Sequence, residues 1–256
     1  MLSYQHIYHA GNPADVHKHA LLASMLRYLT RKDKPLSYLE THSGRGLYQL
    51  DAAEAQKTGE AEAGITELGS KFDADHPYVQ ALRAIRAEHG PRAYPGSPLL
   101  ASTLLRKGDR LHLAELHPQE YAALSNTMLH KARCHNQDGF EMAHKVAPPE
   151  PRRGLLLIDP SYEVKSDYDT IPAQIAKLNK KWNVGVIALW YPLLTSDAHG
   201  PMVSQLEQGK FAGALRHEVR FPPVRAGHGM IGSGMFVLNA PYGTEAECAS
   251  LNAVFS

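Results

Sequence analysis

Apolar residues at Val16, Ala20, Leu21, Met25, Leu26 and Leu29 recur every three to four positions. That spacing predicts a helix over residues 13–31. Asn12 offers a capping oxygen before it, and Pro13 suits its first turn. The run at 36–42, "LSYLETH", reads as a strand and ends in "SGRG", whose glycines permit a tight turn. Further strand-like runs lie at 110–116, 154–159, 184–191, 216–221 and 234–240. Helical patterns at 96–107, 118–130 and 168–182 separate several of them. Some of the strands are apolar nearly throughout, as strands buried on both faces are. The alternation therefore predicts an α/β fold built on a mostly parallel sheet with helices on both sides. No helix separates the last two strand runs, so they are expected to form an antiparallel ribbon at one end.

One interval breaks the alternation. From 47 to 95 the chain is far longer than the roughly 2 to 6 residues of an ordinary strand-to-helix loop. It carries helical patterns of its own at 60–72 and 77–90. Residues 51–93 are read as a small helical insertion, leaving 1–50 and 94–256 as the main domain.

Composition narrows the partners. The chain has 256 residues, 43% of them hydrophobic, enough for one large domain with a sizeable core. The formal charge is +1, so no overall field draws the protein to nucleic acid, although Arg152-Arg153 and Lys180-Lys181 are local basic groups. Cys134 and Cys248 lie far apart in sequence; two cysteines leave room for one disulfide, but the expectation is a reduced cytoplasmic protein. The opening "MLSYQHIYHAGN" has no apolar core of signal-peptide length. No run approaches the roughly 18 apolar residues of a membrane span, so no membrane association is expected. Fifteen histidines invite a metal reading, but neither Cys-x-x-Cys nor His-Glu-x-x-His is present, and no metal is assigned.

In open parallel sheets, ligands sit beyond the carboxyl ends of the strands. Those ends here hold Glu40, His42, Gly44 and Gly46, then Glu115, then Asp138-Gly139 before the next strand, then Asp159. A carboxylate after the second strand suits a ribose diol, and the glycines let backbone approach a ligand. Neither Gly-x-Gly-x-x-Gly nor the P-loop pattern occurs, so a phosphate cradle is not supported. A ligand with ribose and adenine but no phosphate fits better, and S-adenosylmethionine is one. The segment "LLLIDPSYE" then acquires chemical sense. The amine of an adenine is a poor nucleophile because its lone pair is delocalised into the ring. Asp159 can accept one N–H and take the proton, and the Pro160 carbonyl can accept the other. Tyr162 offers a stacking face for an extruded base.

The segments "MLSYQHIYHAGNPADVHKH", "YLETHSGRGLYQL", "YPGSPLLAS", "AELHPQE", "DGFEM" and "IDPSYE" carry a resemblance over nearly the whole chain. In order and spacing the chain resembles the RlmJ family of large-subunit ribosomal RNA methyltransferases. The resemblance implies a Rossmann-like S-adenosylmethionine-dependent methyltransferase fold with a small inserted helical subdomain. It implies methylation of adenine N6 in 23S ribosomal RNA, acting on the RNA itself rather than on assembled subunits, by a cytoplasmic monomer. Cofactor contacts fall on His19, His42, Ser97, Glu115, Asp138, Gly139 and Asp159, with Lys18 beside them. The proton acceptor falls on Asp159, and Tyr4 is expected near the target base with Pro160 and Tyr162. Ser97 also suits the N-cap of the helix that follows it. The chain departs from the family's Asp-Pro-Pro-Tyr at Ser161, which restores a backbone donor and puts loop rigidity in doubt. Competing readings are a DNA adenine-N6 methyltransferase, a non-catalytic nucleic-acid-binding protein of the same fold, and a metal-dependent hydrolase using the histidines.

Overall fold

The structure, a computed structural model, describes residues 5–223 and 229–256. A 3-10 turn (His6–Tyr8) precedes helix α1 (Pro13–Thr30), whose cap is the expected one: Asn12 Oδ1 accepts from the Asp15 N–H at 2.8 Å. Strands β1 (Ser37–Glu40) and β2 (Leu47–Gln49) follow. Next come α2 (Ala53–Thr58), a π-helical turn (Glu62–Thr66), a 3-10 turn (Leu68–Lys71), α3 (Pro77–His89) and β3 (Ala93–Pro95). The chain continues through α4 (Ser97–Leu104), β4 (Arg110–Ala114), α5 (Pro118–Thr127), β5 (Arg133–His135), α6 (Gly139–Val146) and β6 (Gly154–Ile158). It ends with α7 (Asp167–Lys181), β7 (Val186–Leu194), α8 (Gly200–Gln208), β8 (Leu215–Arg220), β9 (Met230–Leu238) and α9 (Thr244–Val254).

Among the described residues, seven strands form one sheet in the order β5-β4-β1-β6-β7-β9-β8. The pairs from β5 to β7 are parallel. β8 and β9 pair antiparallel as expected, and β9 also pairs antiparallel with β7, lying between β7 and β8. β1 is the switch point: the chain builds outward to β4 and β5 on one side, then to β6 and β7 on the other. Glu40 pairs with Leu113 and with Leu157, so β1, β4 and β6 reach their carboxyl ends at one level. That common rim, at a switch in strand order, is where such sheets bind ligands.

Alternation along the buried strands divides the core in two. Leu155 and Leu157 of β6 face a cluster with α1, α3, α4 and α9; Leu156 and Ile158 face one with α7 and α8. The helix expected over 60–72 is broken. Gly64 has φ −92° and ψ −106°, and a Cβ there would lie 2.0 Å from the Gly11 carbonyl oxygen. The turn instead presses on the start of α1, with Ile65 N–H donating to that carbonyl at 2.8 Å. Ile65, Tyr78, Leu82 and Ile85 enter the same core as α1. Cys134 and Cys248 are both free thiols. Among the described residues, no helix is long and apolar enough to cross a membrane.

Candidate functional site

A cavity of about 500 Å³ opens at the carboxyl rim of the sheet. That volume lies in the range of small-molecule and cofactor sites. His19, His42, Ser97, Glu115, Asp138, Gly139, Asp159, Pro160 and Tyr162, separated by up to 143 positions in sequence, all line it. Tyr4 lies outside the described residues.

The cavity's centre is an ion-paired cluster. Lys18 Nζ donates to Asp159 Oδ2 at 2.6 Å and lies 3.1 Å from Asp15 Oδ1, with the lysine only 4% exposed. Burial disfavours the ammonium, but the carboxylates of Asp159 and Asp15 outweigh it and raise the lysine's pKa. Asp15 is held ionised, well below the usual carboxylate range: burial opposes this, and His6 and Lys18 overcome it. Its Oδ2 also accepts from the Gly11 N–H at 3.0 Å and pairs with His6 Nε2 at 2.9 Å. Lys18 lies 5.4 Å from the centre of the Trp190 ring, over its face. The sequence pattern does not single out Asp15. The signal available was its place with Lys18 in the first turns of an otherwise apolar helix.

The far side of the cavity is built from loops after β1, β4 and β5. Glu115 uses its oxygens to accept from the Gly44 N–H and the His117 N–H, both at 2.8 Å, which ties the β1 glycine loop to the end of β4. Burial raises its pKa. Each oxygen keeps a further lone pair for a ligand. Asp138 caps α6, its Oδ1 accepting from the Glu141 N–H at 2.9 Å. At Gly139 a Cβ would lie 2.0 Å from the Thr41 carbonyl oxygen, so only glycine lets α6 start this close to β1. His42 shares a 2.7 Å hydrogen bond with the Thr41 hydroxyl, and burial lowers its pKa. Ser43 is buried, and its hydroxyl has no hydrogen-bond partner among the described residues.

Ser97 lines the cavity, and the buried Glu40 lies against it. The Ser97 hydroxyl donates to Glu40 Oε1, and the Tyr38 hydroxyl donates to Oε2 at 2.9 Å. Ser97 is thus the first residue of α4 rather than its cap: Gly96 holds that place, and the serine oxygen turns to the buried acid. Burial, with the nearby Asp159 charge, pushes Glu40 up to about 8 against those two hydrogen bonds. His19 pairs with the Tyr94 hydroxyl at 3.0 Å, and burial lowers its pKa to about 3, so it is neutral.

Tyr162 takes a left-handed backbone conformation, φ 56°, costly for a non-glycine residue and frequent at functional loops. Its hydroxyl donates to the Trp190 carbonyl at 2.8 Å, and its ring stacks on Tyr168 with centroids 4.6 Å apart. One face of this expected stacking platform is therefore already covered by protein.

Residues 33–255 match the model of a family described as "Ribosomal RNA large subunit methyltransferase D, RlmJ". The chain is 40% identical over 252 residues to ribosomal RNA large subunit methyltransferase J of Escherichia coli K12, spanning 96% of this chain and 90% of that one. It is 39% identical over 255 residues to the protein of the same name from Haemophilus influenzae, with the same coverage. A crystal structure of a Legionella pneumophila protein superposes with a TM-score of 0.86 at 35% identity, covering 96% of this chain and 92% of that one. A human methyltransferase 10 domain containing protein shares only the fold, with a TM-score of 0.51 at 8% identity over 90% of this chain and 83% of that one. The sheet is the Rossmann-like sheet of methyltransferases.

Proposed function

The chain belongs to the RlmJ family of large-subunit ribosomal RNA methyltransferases, and from that membership we propose that it methylates N6 of an adenine in 23S ribosomal RNA with S-adenosylmethionine. The observation that carries this reading is the Asp159-Pro160 pair at the cavity wall. One aspartate oxygen is engaged by Lys18, and the other has no hydrogen bond among the described residues.

The residues present suit the donor. The buried, unpartnered Ser43 hydroxyl awaits a polar ligand atom, because leaving such a group unpaired is costly. Glu115 has acceptor capacity for a ribose diol, and Gly139 brings α6 close with no side chain in the way. We assign the holding of the donor to His19, His42, Ser97, Glu115, Asp138, Gly139 and Asp159. Ser97 contributes partly through Glu40, which it anchors. Bound there, S-adenosylmethionine supplies a methyl group on a positively charged sulfur.

The protein's part is orientation and proton removal. Asp159 and the Pro160 carbonyl accept the two N–H groups of the adenine amine, which frees its lone pair from the ring. As the nitrogen gains its new bond its proton becomes strongly acidic, so a carboxylate already paired with Lys18 suffices to take it. Lys18 keeps that carboxylate aimed. Tyr162 and Tyr4 flank the extruded base, and residues 51–93 act as a helical subdomain beside the site. In this reading the protein is a monomer that acts on free RNA in the cytoplasm.

Unmodified 23S ribosomal RNA incubated with protein and labelled methyl donor should yield N6-methyladenosine. Label in another nucleotide, or efficient labelling of matched DNA instead, would refute the substrate. Asp159→Ala should lose at least about a thousandfold in rate, the combined scale of base and positioning effects, while its thermal transition stays cooperative. Near-normal turnover in that variant would remove Asp159 from the chemistry.

A further inference from the structure

A second polar cluster reaches the cavity through a single residue, Trp190. His17, Ser233 and His217 come from α1, β9 and β8, and all three are buried. Trp190 Nε1 donates to Ser233 Oγ at 2.9 Å. Ser233 Oγ is 2.8 Å from His17 Nδ1, His17 Nε2 is 2.9 Å from His217 Nδ1, and His217 Nε2 is 3.0 Å from Asn252 Oδ1 of α9.

Elementary donor counting gives one self-consistent set of protons. An indole N–H can only donate, so Ser233 accepts there, and its own proton has His17 Nδ1 to go to. His17 therefore carries its proton on Nε2 and donates to His217 Nδ1. His217 is left to donate from Nε2 to the Asn252 oxygen. The far end agrees, since the Cys248 carbonyl, a pure acceptor, also hydrogen-bonds His217. In this arrangement both imidazoles are neutral, because a second proton on either would set N–H against N–H. Burial lowers both pKa values, and the neighbouring His217 lowers that of His17 further, while Asn252, the Cys248 carbonyl, Glu218 and Glu247 partly restrain the fall at His217.

We propose that this relay is a positioning device for the methyl-transfer site, acting through Trp190. The inference rests on the reaction proposed above. Trp190 is the one member of the chain that lines the cavity. Its ring lies beneath the Lys18 ammonium, and its carbonyl accepts from the Tyr162 hydroxyl. The relay fixes the indole plane, and that plane fixes where Lys18 holds Asp159. His17 and Lys18 are consecutive on α1, so the helix is pinned to the relay by one residue and to the catalytic carboxylate by the next.

The test is a double-mutant cycle read in kcat. Ser233→Ala and Trp190→Phe should each lower kcat about tenfold, the scale of one lost hydrogen bond, with donor affinity within twofold of the parent. The double variant should also be about tenfold down, because both changes break the same link. His217→Phe should behave the same way, and serves if Ser233→Ala folds poorly. Losses that multiply to about a hundredfold, or a kcat for Ser233→Ala within twofold of the parent, would overturn the proposal. The protein has two tryptophans, so its nitrogen–proton NMR spectrum carries two indole signals, and Trp190→Phe identifies one. In the parent that signal should resist solvent exchange, and in Ser233→Ala it should not. This readout needs no RNA, so a wrong substrate and a wrong relay are distinguishable. An unprotected Trp190 signal in the parent would refute the relay itself.

Discussion

Asp159 meets the cavity as half of an ion pair, and the acids around it differ by environment. Asp15, with Lys18 and His6 against it, is held ionised, whereas Glu40, with only two hydroxyl donors and the Asp159 charge nearby, is pushed up to about 8. The consequence for Glu40 has a definite sign. Its folded pKa lies above the ordinary value of 4.5, so between the two the folded state binds more protons than the unfolded one, and stability falls as pH rises through that window. Glu40→Gln cannot ionise and keeps partners for both hydroxyls. Its stability should match the parent at pH 4 and exceed it by on the order of 1–3 kcal/mol at pH 8. Urea unfolding at the two pH values measures this, and an equal offset at both would show that folding leaves the Glu40 pKa unshifted. From sequence, Glu40 was legible only as a polar end to an apolar strand. Its partner Ser97 is 57 positions away, and nothing local signals that a helix-starting serine will turn to a buried acid.

Elements, unlike partners, were largely legible, because periodicity is local. The first helix, the β1, β4, β6, β8 and β9 strands and the antiparallel ribbon stand close to where the hydrophobic pattern put them. The differences have physical causes. β7 runs on to Leu194 through Pro192, which a strand interior normally excludes; β6 pairs only as far as Leu189, so the missing N–H deprives no neighbour. β5 and the β2–β3 ribbon have three residues per strand, too few to show a period. The helix over 60–72 is split by Gly64 because α1's entry passes against it. Close approach of the same kind at Gly139 supports a prediction at this scale. Gly139→Ala must push the start of α6 away from Thr41, and Asp138 moves with it. Donor affinity should fall at least about tenfold, with a loss of about 1–3 kcal/mol in stability, the range for overpacking. Calorimetry and unfolding report the two separately, and unchanged affinity would take the α6 start out of the binding site.

At the scale of the whole molecule, the site depends on strand order. β1 lies between β4 and β6, which brings Ser43, Glu115 and Asp159 to one rim from three separate segments. A ligand in that cavity bridges the two halves of the sheet and both core clusters behind them, so its binding should appear in the global melt. At a hundredfold excess over Kd, a ligand specific for the folded state adds about 2.7 kcal/mol. For a chain of this length that is roughly 5–10 °C in Tm. S-adenosylmethionine and its demethylated product should both give such a shift, and ATP, for which the chain has no phosphate loop, should not. Ser43→Ala sharpens the argument. The hydroxyl it removes is buried and unpartnered, so the free protein should melt no lower than the parent and by up to about 1 kcal/mol higher. Its ligand-induced shift should nevertheless shrink, because the group that awaited a partner is gone. A full-sized shift in Ser43→Ala would mean that the loop after β1 binds through its backbone alone, and the pocket's polarity there would need another account.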